Sequence, residues 1–154
     1  MNNQSLKALT IAFAVIIVAL VGVLAFVPAA KGPTTKTPSV PAAMVSSDGK
    51  LTVEVPRSND IIVSPAEFSG TVTGGGWFFE AVFPVKVLDG DGTMLGAGQA
   101  RAASDWMTTG TVPWTASIVF SAPKHATGTV VFAKDNPSGM PEKDLTLSIP
   151  VRFK

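Results

Sequence analysis

The chain has no cysteine and only one histidine, His125, in its 154 residues. Without a thiol it can form no disulfide, no thiolate nucleophile, no cysteine-ligated zinc site and no thiol-linked lipid anchor. With one imidazole, hydrolytic chemistry has a single histidine base to draw on. Acids are missing from the first 40 residues, where Lys7, Lys31 and Lys36 stand alone. All 11 acidic residues follow, interspersed with the remaining bases, and the formal net charge is +1. Phosphate-backbone binding needs cations gathered on one face, and here they are scattered singly among acids. Nucleic acid is therefore not an expected partner.

Charge is also absent from Ala8 to Val27, an apolar run in which Thr10 is the sole hydroxyl and Gly22 the sole glycine. As a helix this run would measure roughly 30 Å, the thickness of a bilayer's hydrocarbon core. A soluble core helix of that length would carry a polar stripe, and none is present. The run predicts a signal-anchor: residues 1–7 a short cytoplasmic tail, residues 8–27 the membrane span, and the rest of the chain extracytoplasmic. A removable signal peptide is the competing reading, with small residues around Ala29 and Ala30 as a cutting site. Its apolar region would ordinarily be shorter, about 7–15 residues, and Pro28 sits close to the bond to be cut.

Residues 28–46 contain Pro28, Pro33, Pro38 and Pro41 among small and hydroxylated residues, without helical or strand period. Such a tract is an extended, semi-rigid spacer. Residues 47–154 remain for one folded domain, large enough to bury a core without a disulfide or metal staple.

Within that domain the apolar period is two. Leu51, Val53 and Val55 alternate with Thr52 and Glu54. Phe68, Gly70 and Val72 oppose Ser69 and Thr71, and Trp114, Ala116, Ile118 and Phe120 oppose Thr115, Ser117 and Val119. Leu145, Leu147, Ile149, Val151 and Phe153 alternate with Thr146, Ser148, Pro150 and Arg152. Each run reads as a strand with one buried face. Pro150 cannot donate to a ladder, which places the last strand at an edge or at a bulge. Gly74-Gly-Gly76, Asp89-Gly-Asp-Gly92 and Asp135-Asn-Pro-Ser-Gly139 supply turns, the second of them a hairpin. No helical period of useful length follows residue 50. The expected class is all-β, an immunoglobulin-like β-sandwich of about seven or eight strands.

Little chemistry is legible. His125 lies in a Pro-Lys-His-Ala-Thr-Gly loop with no elbow serine and no orienting acid nearby in sequence, so it reads as solvated surface. Asp89 and Asp91 are the best metal candidates, because alternating carboxylates in a glycine-rich loop can present oxygens to Ca²⁺. The next alternate position is Thr93 and no glutamate closes the loop, so a plain turn is the preferred reading and no cofactor is expected. Gly74-Gly-Gly76 lacks the Lys-Ser/Thr that follows a phosphate loop. Trp77-Phe78-Phe79 is more informative: three consecutive rings on a strand cannot share one face. Either loops and core cover all three, or Trp77 or Phe78, with Trp106, forms a binding patch.

Ile61-Ile-Val-Ser-Pro65, Phe68-Ser-Gly70, Phe79-Glu80 and Val85-Lys-Val-Leu-Asp89, then Gly92 and Leu95, stand in an order that resembles the immunoglobulin-like domain of bacterial spore germination. The similarity continues through Trp114 to Phe120, Pro123, Gly128-Thr-Val-Val131, Lys134 to Gly139 and Ile149-Pro-Val-Arg-Phe153, and covers about residues 52–153. The resemblance implies a cell-surface interaction or structural module and supplies no catalytic residues. The expected function is thus a non-enzymatic module, anchored to the lipid bilayer through residues 8–27, that binds or positions an envelope protein or polysaccharide. A carbohydrate-binding or cell-wall-acting protein and a passive spacer are the alternatives. No candidate carboxylate pair for glycoside hydrolysis is apparent.

Overall fold

A computed structural model describes residues 43–154. The expected cytoplasmic tail, the apolar run 8–27 and nearly all of the spacer lie outside the described residues. By its contacts the chain from Val40 to Lys154 forms one compact unit.

The alternating runs become strands where they were expected. They are β1 (Met44–Val45), β2 (Leu51–Val55), β3 (Ile61–Ile62), β4 (Ala66–Thr73), β5 (Val82–Asp89), β6 (Met94–Ala102), β7 (Thr111–Ile118), β8 (Thr127–Ala133) and β9 (Thr146–Phe153). Among the described residues the helical content is one 3₁₀ turn, Pro141–Lys143. Seven of the nine strands are long, and β1 and β3 are two-residue additions at the edges. The body also begins ahead of the expected boundary at residue 47: β1 pairs with β2, and Ser46 is buried, its hydroxyl accepting the Leu51 N–H.

Hydrogen bonds connect the strands in the order β1-β2-β4-β7-β6-β5-β8-β9-β3. Aromatic contacts show that this ladder is folded over on itself. Phe68 of β4 meets Phe132 of β8 edge-on at 5.9 Å, and Trp114 of β7 lies 5.3 Å from Phe83 of β5 and 5.5 Å from Phe132. One leaf is therefore β1-β2-β4-β7 and the other β6-β5-β8-β9-β3, with inner faces packed as in a sandwich. The leaves are stitched at one side by two residue pairs, Arg101↔Thr115 and Ala102↔Trp114. At the other side the chain leaves β2 and crosses to the opposite leaf, where β3 runs parallel to β9.

Most of the face that the period marked is buried: Leu51, Val53, Phe68, Val72, Trp114, Ile118, Ile149 and Val151 lie in the core, joined by Val112, Val130 and Phe132. Val55 does not follow, because the β2–β4 register shifts after Val53 and turns Val55 outward, 46% exposed. Pro150 removes no rung, because its carbonyl accepts from Asn59 N–H on the side away from β8. It sits where β9 is free of a neighbouring strand, just before β3 begins.

Strand direction sorts the loops into two ends. The pairs Thr73↔Thr111, Val82↔Arg101 and Ala133↔Thr146 gather residues 74–81, 103–110 and 134–145 at one end. The pair Asp89↔Gly128 and the hairpin between β5 and β6 lie at the other, with residues 119–126.

Candidate functional site

At the first end, residues 74–81 are turns and not strand, so the alternation rule does not govern Trp77-Phe78-Phe79. The chain wraps inward and delivers two of the three rings to the core: Trp77 is 0% exposed, Phe78 7% and Phe79 44%. Trp77 stands edge-on to Phe83 at 6.0 Å, and its indole N–H donates to Asp48 Oδ2 at 3.1 Å. Trp77 thus belongs to the core and not to a surface patch. The other two expected patch residues do come together. Phe78 and Trp106 line an open groove of about 430 Å³ with Gly74, Gly75, Gly76, Met107, Thr108 and Thr109.

Local chemistry fixes this groove. Gly75 has φ +64°, and a Cβ there would stand 2.3 Å from the Trp106 carbonyl oxygen, so only glycine lets the two loops touch. Asp105 accepts the Met107 N–H at 3.0 Å and Thr108 accepts the Gly110 N–H at 3.1 Å, which hold the Trp106 loop in shape without strands. Next to it, Phe79 and Val82 exchange backbone hydrogen bonds at 3.0 and 3.1 Å around Glu80 and Ala81, whose φ angles are +50° and +67°. These are the dihedral signs of a type I′ turn, made here without Asn or Gly. The turn leaves the Phe79 ring half in solvent. Met107, 76% exposed, and Met140, 46% exposed, complete an apolar set on these three loops. Phe79, named in the sequence as one of three rings that cannot share a face, was not among the expected patch residues, yet it is the ring of the three that faces outward. Met107 and Met140 were missed, because methionines in loops carry no periodic signal.

At the opposite end, Asp89 and Asp91 occupy the expected hairpin turn, and His125 comes to them from the loop between β7 and β8. Asp89 is buried. Its Oδ1 accepts the N–H groups of Gly90 at 2.9 Å and His125 at 3.2 Å, and its Oδ2 accepts that of Lys124 at 2.9 Å. His125 Nδ1 lies 3.2 Å from Oδ2. Burial alone would raise the Asp89 pKa, but these donors outweigh it and lower it to about 2. Asp91 is exposed and accepts the Thr93 N–H at 2.9 Å, an interaction that lowers its pKa. The glycine-rich turn is therefore a clasp between two loops as well as a hairpin, which the sequence did not reveal. The orienting acid that the sequence around His125 lacked is Asp89, 36 residues away in the chain. Among the described residues no hydroxyl is bonded to the imidazole, so the third member of a hydrolytic triad is missing.

Two leaves joined in this order, with the chain crossing from one to the other between β2 and β3, define an immunoglobulin-like β-sandwich. The family model for the immunoglobulin-like domain of bacterial spore germination matches residues 50–141, and the chain belongs to that family. The match ends before β9, which the fold nevertheless requires as the partner of β8. No curated protein and no solved structure matches the chain.

Proposed function

We propose that the chain is a membrane-anchored, extracytoplasmic, non-catalytic module that holds another envelope component at the loop end of its sandwich. The observation that carries this reading is the groove that Phe78, Trp106 and Met107 line, at the same end of the sandwich as the exposed Phe79 and Met140. Aromatic and methionine side chains are the types that interface cores favour, and loops carried on a rigid sandwich are a usual arrangement for recognition. The groove offers contact surface and no reacting group.

Anchoring rests on the uncharged run 8–27 and its length. The extracytoplasmic placement rests on the signal-anchor order of short tail, span and domain. Protease treatment of intact spheroplasts tests it: residues 50–154 should be cut without lysis, and protection until lysis would reverse the orientation.

The binding reading is tested by site-directed photo-crosslinking from position 107 in the full chain in its own cells. A discrete adduct that disappears in Trp106→Ala supports it, and adducts no different from those at exposed Thr115 on β7 count against it. A polysaccharide is the second reading, favoured by Trp106 standing beside Thr108 and Thr109, an apolar ring next to hydroxyls. Co-sedimentation with purified cell-wall sacculi, lost in Trp106→Ala, would select it over a protein partner.

A further inference from the structure

We propose that Asp89, Asp91 and His125 form a binding site for a first-row transition-metal ion, with zinc(II) the ion that their chemistry fits best. One donor atom from each of the three residues lies within 4.8 Å of the others. The His125 Nδ1 to Asp89 Oδ2 separation of 3.2 Å is long for a charge-assisted N–H···O bond, which runs about 2.7–2.9 Å. It matches the edge of a tetrahedron built on metal–ligand bonds of about 2.0 Å, which is about 3.3 Å.

The donors are also held in place. Three backbone N–H groups, from Gly90, Lys124 and His125, bond to Asp89, and the Thr93 N–H bonds to Asp91. Such outer contacts orient ligating carboxylates. The two loops meet closely because residue 90 is glycine: a Cβ there would stand 2.9 Å from both the His125 Cβ and the Thr127 carbonyl oxygen. Metal binding at Nδ1 needs that nitrogen free of its proton: in a neutral ring the proton moves to Nε2, and in a doubly protonated ring one proton leaves to solvent, so that in both cases a neutral imidazole is the ligand. The Lys124 N–H keeps its place on Oδ2.

The imidazole selects the ion. Calcium and magnesium take oxygen ligands, whereas one nitrogen and two carboxylates suit zinc and its first-row neighbours. Three protein ligands leave the fourth tetrahedral position to water or to a group from a partner. Asp91 and His125 are exposed, so that position faces outward, at the end of the sandwich away from the Trp106 groove. The site is independent of what the groove binds.

His125 is the only imidazole in the chain, which makes its ring signals an unambiguous reporter. Tag-free residues 40–154, the compact unit, are titrated with zinc sulfate while the ring protons are followed by NMR. The expected result is a saturable shift at micromolar zinc, reversed by EDTA and accompanied by a higher melting temperature. The thermal stabilisation should vanish in His125→Ala, and affinity read from the ring shift should fall at least about tenfold in Asp91→Asn, which leaves the Asp89 bonds intact. Ring signals unmoved at millimolar zinc, thermal stabilisation that persists in His125→Ala, or an equal response to calcium would each overturn the proposal.

Discussion

The indole of Trp77 and the carboxylate of Asp48 are joined by a hydrogen bond of 3.1 Å across 29 residues, tying the loop after β4 to the turn between β1 and β2. The same carboxylate accepts from the Ser46 hydroxyl and the Lys50 N–H. Burial works against its charge, but these three donors and the Lys50 ammonium prevail and lower its pKa. Replacing Asp48 by alanine strips the Trp77 N–H of its acceptor and should cost about 1–2 kcal/mol. Trp77→Ala should cost about 3–5 kcal/mol, because it empties core volume. Trp106→Ala should cost less than about 1 kcal/mol. Urea unfolding of the three variants measures these differences, and a Trp106 loss as large as that of Trp77 would place Trp106 in the core.

Acid should open the clasp at the other end. The Asp89 pKa is lowered to about 2 in the folded chain and is about 3.9 in an unfolded one. The folded state therefore holds its proton less readily, and the stability this contributes is complete above about pH 4. It is lost as pH falls toward about 2. Urea midpoints measured in EDTA should drop across that window, and in Asp89→Asn the drop should be smaller and start from a lower midpoint.

The turn at Glu80 and Ala81 predicts a gain. Non-glycine residues at positive φ cost of order 1 kcal/mol each, whereas Asn-Gly suits both positions of a type I′ turn. The double change Glu80→Asn with Ala81→Gly should stabilise the domain by about 1 kcal/mol in thermal unfolding. A loss of stability would mean that the Glu80 side chain contributes more than the turn costs.

Met107→Ser alters the most exposed large apolar side chain of the domain. It should leave the melting temperature within about 1 °C of the parent, since surface changes of this kind shift stability by less than about 0.5 kcal/mol. Capture of the envelope partner, read as crosslink yield from position 79, should fall severalfold.

Much of the fold was legible because alternation is a local signal. The inward faces of β4, β7 and β9 follow from adjacent residues, as does the hairpin at Gly92, whose φ is +84°. The two-residue strands were not, because nothing local distinguishes Met44–Val45 or Ile61–Ile62 from loop. They exist through partners supplied by β2 and β9. The middle of β6 was silent for a related reason: Gly96, Ala97, Gly98 and Ala100 give no apolar rhythm, yet they pair in register with β5.

The sites divide in the same way. Trp106 and Phe78 were legible as an aromatic grouping, but Trp77 was indistinguishable from them until the path of the loop was known. The convergence of His125 on Asp89 depends on tertiary contact between two loops, and sequence spacing carries no trace of it.

The attachment of β1 bears on how the domain takes load. β1 runs toward the loop end, so its first residue lies nearer the opposite end, and tension entering there pulls along the strand. Two residue pairs with β2 resist it first. Behind them stand the bonds of the 46–50 turn, from the Ser46 backbone and hydroxyl to Leu51 and from Trp77 to Asp48, before force reaches β2 itself. A domain held at its loops and pulled from its amino-terminal side would thus yield in a short first step, lengthening slightly while both leaves stay packed. It would act as a mechanical fuse ahead of the core.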